Sequence, residues 1–127
     1  MLDSEALSRL LTKQPPALAD LALATKKGTA VVVSAMTVPE AYHDRVSRAW
    51  LSYVLSRVDI QPVTEQIALR ATELLRMHGL HGHKYAIDAV VAATAMSRPG
   101  AVAVLTSDTD DLLRLCADEP RVRVVHV

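Results

Sequence analysis

Short apolar runs alternate with amphipathic segments along this chain. The apolar runs are rich in valine, which is typical of strands that are covered on both faces of a parallel sheet. The segments between them repeat their apolar positions at helical spacing, and prolines and glycines mark the boundaries. The predicted strands are residues 1–3, 30–34, 60–63, 101–106 and 122–127, and the predicted helices are residues 5–12, 17–27, 37–57, 65–78, 84–96 and 108–117.

The alternation of strands and helices predicts an α/β fold. We expect a three-layer α/β/α sandwich around a mostly parallel sheet of about five strands. The 127 residues fit one domain, residues 1–127, which is long enough to bury a core without disulfides or a structural metal. Half of the residues are hydrophobic and few are aromatic, so we expect an aliphatic core.

The composition bears on the cellular compartment of the protein but does not identify its function. The single cysteine, Cys116, excludes an intramolecular disulfide, agrees with a reducing cytoplasm and is interpreted as a small core residue. No stretch reaches the roughly 20 apolar residues that a membrane span needs, so we expect a soluble, cytoplasmic protein without a membrane partner. The formal net charge is zero, so any nucleic-acid contact depends on local placement of Arg and Lys.

Asp88 stands out within the predicted helix of residues 84–96, which is apolar nearly all round. Such a helix is usually buried, and an ionised carboxylate on it costs several kcal/mol or more unless a cation meets it. Lys84, one turn before Asp88, is the only local partner. The structural interpretation is therefore a pair with Lys84 or an ordinary acid in the first helical turn.

Three further acids lie at the ends of predicted elements. Asp3 ends the first strand, Glu40 lies just after the second, and Asp108 follows the fourth. In open α/β sheets ligands bind beyond the carboxyl ends of the strands, and the helix of Asp88 starts from that same edge. Two carboxylates about 4 Å apart would repel by on the order of 4 kcal/mol at an effective dielectric near 20, so they would shift their pKa values or recruit a cation. A site of oxygens suits Mg²⁺ or Mn²⁺ better than zinc.

Each of these acids also has an ordinary structural interpretation. Thr37-x-x-Glu40 is the pattern of a capping box, which requires no catalysis. Asp3 and Asp108 each precede a predicted helix and fit the position of an N-cap. Only the convergence of all the acids at one sheet edge favours a site over these separate roles.

Two other groups of residues are interpreted as structural. The histidines His78, His81 and His83 fall in a glycine-bearing linker without cysteine, which favours a solvated loop over a zinc site. Trp50 and Tyr53 share one helical face, and we interpret them as core or subunit-interface residues rather than as a base-stacking platform.

Four segments together resemble the PIN domain family, and within it the VapC-type toxins of bacterial toxin–antitoxin pairs. They are M-L-D-S-E-A-L, V-P-E-A-Y, G-H-K-Y-A-I-D-A-V-V-A-A-T-A and V-L-T-S-D-T-D-D-L, of which the last two are the more specific. The resemblance implies a PIN-like fold and an endoribonuclease that depends on Mg²⁺ or Mn²⁺. It also implies a homodimer and a cognate antitoxin protein that inserts a basic segment over the acidic pocket.

Carried over residue by residue, the resemblance implies a set of catalytic and metal-binding acids. Glu40 would bind the metal directly or through water, Asp111 would be an accessory ligand, and Ser107 would hydrogen-bond within the site. The four principal acids are Asp3, Glu40, Asp88 and Asp108.

Several functions remain open at this point. The first is hydrolysis of RNA phosphodiester bonds, with the metal orienting a water and stabilising developing charge. The alternative is a PIN-fold module with a weak or inactive site whose main role is to bind its antitoxin. A haloacid-dehalogenase-like phosphatase would need Asp where this chain has Glu5. Basic residues that suit the rim of an RNA site, each alone interpretable as solvated surface, are Arg45, Arg48, Lys84 and Arg98.

Overall fold

The computed structural model describes residues 1–127. Helices and strands alternate along most of the chain, which confirms the prediction of an α/β protein. The seven helices are α1 (Ser4–Leu11), α2 (Pro15–Lys27), α3 (Thr37–Ala41), α4 (Arg48–Ser56), α5 (Glu65–Met77), α6 (Gly82–Ser97) and α7 (Thr109–Leu115), and the four strands are β1 (Val32–Ser34), β2 (Asp59–Gln61), β3 (Val102–Thr106) and β4 (Val122–His126).

All strand pairing in the structure is parallel, as the sequence predicts. β1 pairs with β2, and β3 pairs with β4. Leu2 lies between the two ladders and bridges Val33 on one side and Leu105 on the other. The first predicted strand is thus a single bridging residue, and Asp3, which follows it, is already the N-cap of α1. The expected sheet of about five strands is therefore seen as two two-stranded ladders joined through Leu2.

Helices cover both faces of these ladders. Consecutive strand residues point to opposite faces, so Val32 packs in one apolar cluster and Val33 in the other. The cluster of Val32 includes residues of α5, α6 and α7, and that of Val33 includes residues of α1, α2 and α4. The valine-rich composition of the strands follows from this two-sided burial.

Helix α6 contributes more buried residues than any other helix of the fold. Its residues 89, 91–93 and 95 are nearly inaccessible to solvent, and most are alanines. Small side chains allow the backbone of α6 to lie close to α5 and the strands. Asp88 comes immediately before this buried stretch and is itself partly buried.

The long helix predicted over residues 37–57 is wrong, because the structure forms two helices there. α3 ends at Ala41, and Tyr42 takes an extended conformation with φ −69° and ψ 141°. α4 begins after Ser47, whose hydroxyl accepts a hydrogen bond from the amide of Trp50 at 3.2 Å. Serine is a favoured N-cap, so this side chain fixes the start of a separate helix.

The longest of the seven helices, α6, has 16 residues. None of the seven has the length and apolar character that crossing a membrane requires.

Candidate active site

Three of the acids identified from the sequence follow the carboxyl ends of parallel strand segments. Asp3 follows the Leu2 bridge, Glu40 lies in α3 after β1, and Asp108 lies two residues beyond the end of β3. Parallel strands share one direction, so their carboxyl ends lie at the same edge of the fold. The backbone therefore directs these three acids toward a common region.

Asp88 experiences the charges of all these acids. Burial raises the pKa of Asp88 to about 6, and four nearby negative charges act in the same direction. These charges belong to Asp111, Glu40, Asp108 and Asp3. Because charge interactions weaken with distance, the five acids share one local electrostatic field. The salt bridges of the chain involve other acids, so no Lys or Arg side chain neutralises this group directly.

Asp3 is held firmly although little chain precedes it. Its amide donates to the carbonyl of Leu105 at 3.1 Å, and its carboxylate accepts from the amide of Ala6 at 2.8 Å. The second contact confirms the N-cap interpretation of Asp3. Burial raises the pKa of Asp3, and the hydrogen bond from the Ala6 amide and the nearby hydroxyl of Thr106 both oppose that rise. Asp3 is therefore a helix cap and a member of the acidic group at the same time.

Thr106 is a site residue that the sequence interpretation missed. Its hydroxyl accepts from the amide of Asp108 at 3.0 Å and donates to the carbonyl of Asp108 at 3.1 Å. Ser107, which the resemblance placed in this role, is exposed and its hydroxyl makes no hydrogen bond to the protein. The period-two pattern of β3 contained the signal, because Thr106 lies on the same buried face as Val104.

The side chains of Asp108 and Glu40 do not act as helix caps. Asp108 occupies the N-cap position of α7 without a side-chain hydrogen bond to it. The N-cap of α3 is Met36, so Thr37 lies inside the helix and the predicted capping box does not form. The hydroxyl of Thr37 is instead buried without a hydrogen-bond partner. Both structural interpretations are therefore wrong at the level of the side chain, and these two exposed carboxylates are not engaged in capping.

Lys84 does not neutralise Asp88. It forms no salt bridge with Asp88, and its ammonium lies 4.8 Å from the ring centroid of Tyr85. The pKa of Lys84 is raised by its interaction with Tyr85 and further by the charges of Asp111 and Asp108. Asp88 also lies beyond the first turn of α6, which contains no acid. Both structural explanations of Asp88 are wrong, and Lys84 is an exposed cation at the rim of the acidic group.

The remaining reactive side chains do not form a second centre. His81 and His83 are exposed, whereas Nε2 of His78 is buried without a hydrogen-bond partner. Burial raises the pKa of the Cys116 thiol to about 11, so it is protonated at neutral pH and agrees with the core role predicted for it.

The acidic group suits a hard divalent cation in its chemistry and charge. Its donors are carboxylate oxygens, which Mg²⁺ and Mn²⁺ prefer, and it carries uncompensated negative charge. An orphaned polar atom, the Thr37 hydroxyl, is buried beside the same edge. No three Asp, Glu, His or Cys side chains are close enough together to hold an ion in their present rotamers. Glu40 and Asp108 are exposed, and their side chains make no hydrogen bond within the protein.

The fold and the acidic edge define an α/β protein with a group of carboxylates at the carboxyl ends of its strands. The PIN domain family matches residues 1–117, and the chain belongs to this family. PIN domains are nuclease-type proteins that typically use divalent metal ions. No curated protein and no solved structure matches the chain. The PIN resemblance is confirmed, whereas its VapC-type refinement stays a prediction.

Proposed function

We propose that this chain is an endoribonuclease, dependent on Mg²⁺ or Mn²⁺, that acts as the toxin of a toxin–antitoxin pair. The observation that carries the proposal is Asp88, a partly buried carboxylate surrounded by four other acids without a directly paired cation. Membership of a nuclease-type family supports hydrolysis of a phosphodiester bond as the reaction. In this proposal residues 1–127 act as one PIN-like domain in the cytoplasm, as a homodimer that is inhibited by its antitoxin.

The proposed ligands divide according to their mobility. Asp3 and Asp88 are the fixed ligands, since one is tied to the start of α1 and the other is set in the buried helix α6. Asp108 and Glu40 are the mobile ligands, with Glu40 binding directly or through water, and Asp111 is the accessory acid. A divalent ion, when bound, supplies a positive charge that stabilises the negative charge developing on the phosphate.

The protein's own groups control the approach of substrate. Thr106 holds the backbone of Asp108 by two hydrogen bonds and thereby fixes where α7 starts relative to Asp3. Lys84 stands beside Asp108 and Asp111 and is placed to contact a phosphate that would otherwise meet only carboxylates. Asp88 must be ionised to bind a cation, so metal binding is expected to release a proton below neutral pH.

The test compares RNA cleavage by the wild type and by Asp88→Asn in Mg²⁺, Mn²⁺ or EDTA. We expect cleavage by the wild type with metal, none with EDTA, and a loss on the order of a hundred-fold in the variant, because a neutral amide replaces a charged ligand. Asp118→Asn is the matched control, since Asp118 is exposed and makes no salt bridge. Equal cleavage by Asp88→Asn, or cleavage that survives EDTA, would contradict the proposal.

A second candidate is a PIN module with a weak site whose main role is antitoxin binding. The present spacing of the carboxylates and the commitment of Asp3 to capping favour it. An inactive module would bind its partner but show no Mn²⁺-dependent rise in melting temperature. A nuclease toxin would show that rise and would arrest growth when expressed without its antitoxin.

A further inference from the structure

A cavity of about 430 Å³ beyond the end of α3 is lined in part by basic side chains. Lys13, His43 and Arg45 contribute to its lining, and Trp50 forms part of its wall. No carboxylate is among the lining residues. The larger cavity of the fold, of about 620 Å³, is lined mainly by apolar residues and includes Asp20. The smaller cavity is therefore the one whose chemistry suits an anion.

This cavity approaches one member of the acidic group, Glu40. His43 follows Glu40 by three residues, and an extended chain spans at most about 3.6 Å per residue, so their Cα atoms are no more than about 11 Å apart. Because the carboxylates repel phosphate, an RNA strand that reaches them needs cationic side chains close by. We propose that the cavity is a subsite that holds single-stranded RNA, with one phosphate on its cations and a base on the exposed ring of Tyr53, which stacks on Trp50 beside the cavity. The inference rests on the proposed ribonuclease function and adds to it a second site on the same strand.

Lys13 occupies a conformation that its residue type disfavours. It has a φ of 59°, and it is the only non-glycine residue of the chain in the left-handed region. It follows Thr12, the C-cap of α1, at a position where glycine is most common. The conformation is that of a helix C-terminal cap, in which the amides of Lys13 and Gln14 donate to the carbonyls of Leu10 and Arg9 at 3.1 and 2.9 Å. The Lys13 ammonium lies 4.9 Å from the centroid of the Trp50 ring, at the lining of the cavity.

The aromatic wall is also fixed in place. The indole N–H of Trp50 donates to the carbonyl of Leu10 at 3.1 Å, which sets the plane of the ring. Tyr53 stacks on Trp50 with 5.2 Å between ring centroids and an angle of 27° between the planes. Tyr53 does not line the cavity, and it is half exposed, so the outer face of the stack meets solvent beside the cavity. Exposed aromatic rings beside cations are the usual platform for bases of single-stranded nucleic acid.

The cations at the cavity are available for an external anion. Lys13 and Arg45 are exposed and form no salt bridge, and neither does Arg48 at the start of α4. Asp44 is the acid next to Arg45 in sequence, but it does not line the cavity. The pairing of unneutralised cations with an exposed aromatic stack favours RNA over an acidic protein segment, which would not require the aromatic platform.

The test measures binding of a labelled single-stranded RNA of about ten nucleotides by fluorescence anisotropy in EDTA, over a range of salt concentrations. Lys13→Gly removes the cation while placing the preferred residue at φ 59°, so folding is preserved. We expect Lys13→Gly and Arg45→Ala each to weaken binding about five-fold near 0.1 M salt and to reduce the salt slope by about 0.7. The charge-matched controls, Lys27→Ala and Arg123→Ala, should bind as the wild type does.

A further pair of variants separates stacking from charge. Tyr53→Ala should weaken binding at least about five-fold without changing the salt slope, and Tyr53→Phe should retain wild-type affinity. Wild-type RNA affinity and salt slope in both Lys13→Gly and Arg45→Ala would overturn the inference. It would also be overturned if these two variants lost binding to an acidic peptide but bound the RNA as the wild type does. If RNA binding depends on Lys13 and Arg45 but Mn²⁺ supports no cleavage, the subsite stands and the ribonuclease proposal fails.

Discussion

Replacement of Asp88 by Asn should stabilise the protein at neutral pH and leave its stability unchanged in acid. Burial and four neighbouring acids raise the pKa of Asp88 to about 6 from an ordinary value of 3.8. A carboxyl whose pKa is higher in the folded state binds its proton more tightly there than in the unfolded state. The free energy of unfolding therefore falls as pH rises from about 4 through about 6, and the whole penalty is present above that range.

The size of the effect follows from the same pKa. The difference between about 6 and 3.8 corresponds to about 3 kcal/mol, at about 1.36 kcal/mol per pKa unit. Asp88 is only partly buried, and solvent screening reduces this figure to about 1 to 2 kcal/mol. Asn has the same shape without the charge. The free energy of unfolding of Asp88→Asn should therefore exceed that of the wild type by about 1 to 2 kcal/mol near pH 7.5.

The assay is urea denaturation of both proteins in EDTA at several values between about pH 4 and pH 8. The two curves of stability against pH should coincide near pH 4 and separate through about pH 6. Asp118→Asn, at an exposed and unpaired acid, should follow the wild type throughout. A variant that is no more stable than the wild type at pH 7.5 would refute the argument that Asp88 is electrostatically destabilising.

Three further substitutions test individual contacts by urea denaturation. Thr106→Val should lower the free energy of unfolding by about 1 to 2 kcal/mol, because it removes the hydroxyl bonded to the backbone of Asp108; no loss would contradict that pairing. Thr37→Val should be neutral or stabilising by up to about 1 kcal/mol, because its hydroxyl is buried without a partner, and a clear loss would reveal a missed hydrogen bond. Ser47→Ala should cost about 1 kcal/mol through loss of the α4 cap, whereas Ser47→Gly should cost a few tenths.

The sequence was most informative where local patterns conflicted. An ionisable residue in the apolar segment 84–96 is costly, and this alone identified Asp88 as the residue that needs explanation. The structure supplies part of the explanation, since the charges that act on Asp88 belong to other acids and not to Lys84. The valine-rich runs likewise predicted parallel strands, because burial on both faces leaves a continuous apolar signal.

The sequence was least informative where a boundary depends on one residue. The break between α3 and α4 rests on the extended backbone of Tyr42 and the cap by Ser47, and the apolar spacing runs through both. The capping-box pattern at Thr37 failed because the helix begins one residue earlier than the motif requires. The choice between Thr106 and Ser107 depends on which hydroxyl faces inward, and the alternation along β3 would have decided it.

The most direct test of the account is calorimetric titration of the wild type and of Asp88→Asn with Mn²⁺ near neutral pH. The account predicts one Mn²⁺ site in the wild type, with affinity at least about ten-fold lower in the variant because a fixed carboxylate ligand is lost. Equal Mn²⁺ affinity in the two proteins, or no binding by the wild type, would contradict the claim that these acids converge to hold a divalent ion.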